Sequence, residues 1–413
     1  MRINIVVPPF DPRRFSGGIW CILQHAQQLG SRGHEVRVVP MLPSSQPLWF
    51  PKPWHFELVT ESSPAVLRQG LSSLKGAVVA KLRRTLAAQR AGSVPAESLI
   101  RPAAGLLGLW LAGHGTHGLR QGGAIDHLRR LLPAADLTLA TDCETAWPVA
   151  LVGTGRLAYF AQHYEPFFWK ERFGGEASRR EAEASYRLGL HQLVNSPWLQ
   201  DRLQALQPQT VVLVVPNAID HQVFQGQPIG RAPGEPLRII SYGGRNAEWK
   251  GFREMCEGLR LLRQRAPDLP FEWRVYGDAL LPPDNDICPY IPLGFLQPAA
   301  LAEAYRASHV LLGASWYESF PLFPLEAMAC GLATVTTQEG AEMFSRHGQT
   351  ALVIPPRDPV ALAAAVQQLG EDESLRRRLA EQGQVHSRGF TWLHAGDAMV
   401  AALDEVLARP VSG

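Results

Sequence analysis

Short runs of valine and isoleucine recur along the chain, separated by stretches in which apolar residues return every three or four positions. INIVV (3–7) is followed by the loop PPFDPRRFSGG, the amphipathic stretch IWCILQHAQQLGSRG and a second run, EVRVVP (35–40). Continuous apolar runs of this length suit strands buried on both faces, and the intervening periodicity suits helices that cover them. The alternation returns with DLTLA (136–140), RLAYFA (156–161), HQLVNS (191–196) and VVLVVPN (211–217). Between 217 and 236 it lapses into AIDHQVFQGQPIGRAPGEP, whose prolines and glycines predict a linker. A second series follows: RIISYGG (238–244), a helix over about 251–264, FEWRVYG (271–277), YIPLGF, a helix over PAALAEAYRAS, HVLLGAS (309–315), TVTT (334–337), ALVIPP (351–356) and two further helices. The pattern predicts an α/β protein of two Rossmann-like, doubly wound parallel-sheet domains facing a central cleft. Their expected bounds are 1–216, with an insertion at about 44–130, and 237–390, with a last helix within 391–413.

Composition changes this picture little. The length, 413 residues, accommodates two or three domains, and a net charge of +2 does not argue for nucleic acid as a partner. Five scattered cysteines without a C-x-x-C pair favour neither a disulfide framework nor a zinc site, so a cytoplasmic setting is expected. MRINIVVPPF reads as a strand rather than a secretion signal. The longest apolar stretch, AAGLLGLWLAG (103–113), is shorter than the roughly 20 residues that span a bilayer. One segment stands apart: 65–130 carries ten lysines and arginines against Glu97 and Asp126, with Leu71, Leu74, Val78, Leu82 and Leu86 at helical spacing. A basic amphipathic helix of this kind suits contact with an anionic membrane face, the plainer alternative being an insertion with a solvated basic side.

Four stretches carry candidate chemistry. SWYESFPLFPLEAMACG (315–331) holds Glu318 and Glu326 with Pro321 and Pro324 between them. Proline breaks a helix interior but suits its first turn, so Glu318 is expected in a loop, a helix is expected to start near Pro324, and Glu326 to project from its first turn. Both carboxylates would then converge on a helix N-terminus whose field favours an anion. GGRNAEWKG (243–251) follows a strand and supplies Arg245 and Lys250, the cations a diphosphate leaving group needs. FSGG (15–18) places Gly17 and Gly18 where backbone N–H groups can meet a phosphate or sugar, as an ordinary turn also would. YFAQHYEPFFWKE (159–171) brings Gln162, His163 and Glu165 to a strand exit, with Tyr164, Phe167, Phe168 and Trp169 available to pack a sugar ring. Asp284-Asn285-Asp286 reads as a turn in a proline-rich loop rather than a metal motif, and His114 and His117 as part of a glycine-rich loop.

From about 190 to 395 the chain resembles the retaining glycosyltransferases of family 4, which have the GT-B fold. The resemblance rests on VNSPWLQDRL (194–203), VVPNAIDHQVF (214–224), ISYGGRNAEWKG (240–251), VYGD (275–278), LGFLQPAALAEAYRASHVLL (293–312), SWYESFPLFPLEAMACGLATV (315–335) and QTALVIPPRDPVALAAAV (349–366), in that order. It implies that Glu318 and Glu326 form the E-x7-E pair, Glu326 on the nucleotide ribose and Glu318 on the donor sugar. Arg245 and Lys250 match the diphosphate clamp. The implied donor-binding set is Gly17, Gly18, Gly244, Arg245, Lys250, Glu318, Ser319, Phe320, Pro321, Leu322 and Glu326, and the implied catalytic set is Glu318, Arg245, Lys250 and His163. Pro321, Ala218 and Ala333 depart from the family pattern, which has glycine, glycine and proline at these places.

AQHYEPFF is similar to the Q-D-Y-E-P-F-F stretch of bacterial rhamnosyltransferases that build surface glycans. On that likeness Gln162, His163 and Glu165 become acceptor-side candidates, with no base role assigned to His163. The implied activity is metal-independent, cofactor-free transfer of a hexosyl group, rhamnosyl among the candidates, from a nucleoside-diphosphate sugar to a glycan or lipid-linked acceptor in surface polysaccharide synthesis. The leaving phosphate would itself help deprotonate the acceptor. The expected place is the cytoplasm, at the inner face of the cell membrane, and the last helix is expected to pack back on the first domain. The alternatives are a non-catalytic nucleotide-sugar-binding or scaffold subunit of a glycan assembly complex, and a GT-B phosphorylase or hydrolase.

Overall fold

A computed structural model of the chain describes residues 1–9, 15–60, 115–168, 176–243, 248–277 and 289–409, without the side chains of 115–121, 177 and 178. The chain forms two compact units, one of residues 1–195, 200–215 and 396–413, the other of 196–199 and 216–395.

The first unit is built on strands β1 (Arg2–Val7), β2 (Glu35–Pro40), β3 (Glu57–Leu58), β4 (Leu137–Ala140), β5 (Arg156–Ala161), β6 (His191–Val194) and β7 (Val212–Val214). They lie in the order β3-β2-β1-β4-β5-β6-β7, all parallel. Helices α1 (Gly17–Ser31), α2 (Gly115–Leu131), α3 (Cys143–Val152), α4 (Glu176–Ser185) and α5 (Pro197–Leu206) make the crossovers that parallel pairing requires. The apolar residues of β1 have no water-facing side: Ile3, Ile5 and Val7 pack with Ile22, Leu23 and Leu29 of α1. Met399, Leu403 and Val406 close the same core from the end of the chain, where an Arg32–Asp397 ion pair of 2.6 Å ties α1 to that segment.

The second unit repeats the scheme with β8 (Leu237–Tyr242), β9 (Phe271–Tyr276), β10 (Ile291–Gly294), β11 (Val310–Leu312), β12 (Ala333–Thr337) and β13 (Leu352–Ile354). Their order is β10-β9-β8-β11-β12-β13, again all parallel. Helices α6 (Phe252–Arg265), α7 (Pro298–Arg306), α8 (Leu322–Ala329), α9 (Pro359–Glu371), α10 (Glu373–Ser387) and α11 (Trp392–Ala408) follow in order, α11 continuing from this unit into the first. In each sheet the order reverses once, between β1 and β4 and between β8 and β11, and such a point leaves a crevice beyond the strand ends.

The stretch 217–236, expected as a linker, is instead part of the second unit. Ile219 and Phe224 are buried in its core, Ile219 pairs with Thr391 in a short bridge, and Arg376 donates to the Ile229 carbonyl at 3.1 Å. Its prolines and glycines disrupt periodicity without preventing it from being wrapped onto a preformed surface. The expected glycine-rich loop around His117 differs as well, since residues from Gly115 onward belong to α2. The expected basic helix up to 114, His114, Trp169 and Asp284-Asn285-Asp286 lie outside the described residues. Among the described residues no helix is long and apolar enough to cross a membrane.

If 217–236 is core rather than linker, Phe224→Ala lowers the unfolding free energy of the second unit by about 3–5 kcal/mol in a denaturant titration. A change below about 0.5 kcal/mol, normal for an exposed linker position, would contradict this placement.

Candidate functional site

The crossovers after β8 and β11 run to opposite sides of the second sheet, so the loops leaving these neighbouring strands part and open a crevice. The loop after β8 ends in the single turn Glu248–Lys250, and the loop after β11 carries Ser315 to Pro321. Two glycines let the backbones close in on each other. Gly251 stands at φ 71°, where a Cβ would lie 2.0 Å from the Ala314 carbonyl oxygen. Gly340 stands at φ 76°, where a Cβ would lie 2.5 Å from the Glu318 carbonyl oxygen. Both positions need the left-handed backbone and the missing side chain of glycine. The result is an ion pair: Lys250 Nζ donates to Glu318 Oε1 at 2.5 Å. The Ser315 hydroxyl donates to the same oxygen at 3.1 Å, and Thr337 Oγ1 holds the Ser315 carbonyl at 2.6 Å. Glu318 is 5% exposed. The ammonium also lies 5.6 Å from the ring centres of Tyr242 and of Phe323, so carboxylate and π-faces together surround it.

Glu326 has a different setting. Helix α8 starts at Leu322 with Pro321 as its N-cap, so Pro324 is its third residue and Glu326 its fifth, beyond the first turn where the sequence places it. Proline is accepted this early because its missing N–H would have had no partner within the helix. No ion pair or hydrogen bond to the Glu326 carboxyl is found among the described residues, and burial pushes its pKa up to about 8. Its charge is felt by Tyr276 and Tyr305, whose hydroxyls are hydrogen-bonded to each other at 2.7 Å. Ser319 is fully buried, and the Phe320 ring packs in the core against Phe344 and Phe390 at 5.4 and 6.1 Å. A ligand at this helix end can therefore meet Phe320 through its backbone only; Leu322 and Phe323 supply the helix's first N–H donors. Gly244 and Arg245 lie outside the described residues.

In the first unit Gly17 and Gly18 open α1 after Ser16, which makes no side-chain cap, and a Cβ at either glycine would meet nothing within 4 Å. Gln162, His163 and Glu165 all follow β5; Gln162 and Glu165 are buried and His163 is half-buried. Glu165 is buried; its Oε2 accepts from the Cys143 N–H and from the Tyr159 hydroxyl, each at 2.7 Å. Its backbone N–H donates to Tyr186 Oη, which donates in turn to the His163 carbonyl at 2.9 Å. Glu165 thus clamps the loop to the start of α3, and burial together with the Asp142 charge raises its pKa well above the carboxylate range. Gln162 is buried with its carbonyl held by Asn195 at 3.0 Å; the half-buried His163 ring meets Phe168 edge-on at 4.6 Å. Tyr164 and Phe167, expected to stack on a sugar, pack on each other under the Arg202 guanidinium. Asp142, Cys143 and Glu165 offer ligand atoms within 4.8 Å of one another. Burial and the nearby Glu165 charge push the Cys143 thiol well up.

Residues 237–372 match the family described as Glycosyl transferases group 1. The match lies within the second unit. The O-antigen biosynthesis protein RfbC of Myxococcus xanthus is 29% identical over 306 residues, which is 70% of this chain and 23% of that protein. The chain spans between about a quarter and a half of the length of the first curated relatives it matches. Among solved structures, sucrose-phosphate synthase from Thermosynechococcus elongatus superposes with a TM-score of 0.66 at 17% identity, over 98% of this chain and 99% of that one. HepE of Anabaena, in complex with UDP-glucose, gives 0.64 at 14% identity, over 98% and 100%. The architecture is therefore the α/β GT-B fold.

Within this unit, sequence reading overlooked Ser315 and Thr337. A signal existed for the first: serine three residues before an acid is a spacing in which the hydroxyl and carboxylate meet locally. Thr337 comes from another strand and had none. The raised pKa of Glu326 yields a test. A carboxyl at about 8 rather than 4.5 binds its proton more tightly when folded. Its stability contribution is thus complete below the ordinary value and lost as pH rises through about 8. Ligand-free Glu326→Gln should melt close to wild type at mildly acid pH and several degrees above it in alkaline buffer. A difference that does not grow with pH would contradict the buried, cation-free setting.

Proposed function

We propose that the chain is a retaining glycosyltransferase that moves a hexosyl group from a nucleoside-diphosphate sugar to a glycan or lipid-linked acceptor in surface polysaccharide synthesis. The observation that carries this reading is the Lys250–Glu318 ion pair at the strand-order reversal of a unit that matches the group 1 glycosyl transferases. Lys250, with Arg245, stabilises the charge that develops on the departing diphosphate, the work a divalent ion performs in other transferases. Glu318 orients the donor sugar once the diphosphate draws Lys250 toward itself. Glu326, protonated in its buried site, both donates to and accepts from the ribose hydroxyls. Gln162 and His163 face the acceptor from a loop that Glu165 keeps in place. The O-antigen relative supports the surface-glycan role, and the AQHYEPFF stretch supports rhamnosyl as the group transferred. The basic run of 65–130 supports contact with an anionic membrane face.

A thermal-shift panel of nucleoside diphosphates and their sugars identifies the donor, since a ligand at 100 times its Kd stabilises by about 2.7 kcal/mol. With that donor, Glu318→Ala and Lys250→Ala each lower transfer by about a hundredfold or more. If both variants keep wild-type transfer and donor affinity, a scaffold role replaces the enzymatic one. Co-sedimentation with anionic liposomes at low salt, reversed at high salt, is expected of the membrane contact; no binding at low salt would remove it.

A further inference from the structure

Trp316 joins three segments that are distant in the chain. Its backbone N–H donates to the Trp249 carbonyl at 2.7 Å, and Trp249 directly precedes Lys250. Its indole N–H donates to Glu254 Oε1 at 2.8 Å, in the first turn of α6. Above its ring, the Arg357 guanidinium carbon stands 3.8 Å from the centroid, reaching in from the loop after β13. Two residues beyond Trp316 is Glu318. The indole is thus gripped at its edge by an anion and on its face by a cation. A carboxylate on the N–H enriches the ring in electron density and strengthens its hold on the guanidinium.

Two features show that this contact is more than filler. Arg357 is the one non-glycine residue with positive φ, 60°, among the described residues, a backbone state that persists when surrounding contacts over-determine it. Glu254 is 9% exposed, and its second oxygen, Oε2, has no hydrogen-bond partner. A buried carboxylate left half satisfied is costly, and here its one hydrogen-bonded oxygen is committed to Trp316. Trp316 itself is only half buried beneath an exposed arginine, so it does not close a core.

We propose that Trp316 is a positioning residue for the Lys250–Glu318 pair. The inference rests on the reading of that pair as the donor site. Its backbone bond to Trp249 sets the separation of the two loops, and the Glu254–indole–Arg357 stack keeps that bond in register, so Lys250 meets the diphosphate while Glu318 meets the sugar. Trp316 acts through these two residues.

The test uses the full chain, with the nucleoside diphosphate that binds tightest in the panel and its sugar as probes. Trp316→Phe keeps a ring under Arg357 and loses the N–H. It is expected to lower release of the nucleoside diphosphate about ten- to a hundredfold while its affinity changes less than about threefold, because a misplacement near 1 Å affects turnover before binding. Glu254→Leu should cost as much, Glu254→Gln should restore most of the turnover through its amide oxygen, and Trp316→Phe with Glu254→Leu should cost no more than either alone. Arg357→Ala, at an exposed position, gives a smaller loss with affinity kept, and decides the matter if Trp316→Phe folds poorly. Wild-type turnover in Trp316→Phe and Glu254→Leu, losses that multiply in the double variant, or equal losses of turnover and affinity would each overturn the proposal. Lys250→Ala run alongside separates the cases: a loss there with full turnover in Trp316→Phe overturns this inference alone, and full turnover in both removes the donor-site reading as well.

Discussion

A carboxylate that is almost fully buried needs a cation and hydrogen-bond donors close by, and Glu318 obtains them from Lys250 and Ser315. That requirement governs the crevice of the second unit. Lys250 reaches Glu318 only if the loop after β8 leans across to the loop after β11. The lean in turn requires backbone contact at Gly251, where a side chain would collide with the Ala314 carbonyl, while Gly340 of the loop after β12 packs as closely on the Glu318 carbonyl. Breaking the pair by removing one partner leaves the other buried without compensation, so the two loops are linked in energy as well as in space. On the proposed reading, an incoming diphosphate would change this balance by offering Lys250 a second anion and so tie ligand capture to the release of Glu318.

The second glutamate of the pair obeys the opposite electrostatics. Glu326 has burial without a cation, and its carboxyl holds its proton to about pH 8. One helix and the loop before it thus present two acids in different settings, Glu318 against an ammonium and Glu326 without one. The first unit makes a third use of an acid. Glu165 serves as an internal clamp between the β5 exit and the start of α3.

Much of this was legible in the residues. Every strand run quoted from the sequence lies within a strand of the structure or overlaps one, because continuous Val/Ile runs have no stable home except a strand covered on both faces. The loop positions of Lys250 and Glu318 were legible through their placement after such strands, whereas Glu326 lies deeper in its helix than expected. Reading failed where local pattern stops being informative. The Pro/Gly-rich 217–236 lacks periodicity, yet Ile219 and Phe224 anchor it to a core that other residues build. Phe320 was expected among donor-binding residues, yet its ring belongs to an aromatic cluster with Phe344 and Phe390.

The amino-acid order alone settles the alternation of strands and helices, the all-parallel layering and the loops in which charged groups gather, since these follow from spacing over a few residues. It does not settle which charges meet. Lys250 and Glu318 are 68 positions apart, and Glu254 and Trp316 are 62 apart. Their contacts exist because two neighbouring strands send their loops into one crevice, where low exposure makes an unpaired charge costly and so selects its partner. That selection is a property of packing, and packing is defined only once the sheet has formed.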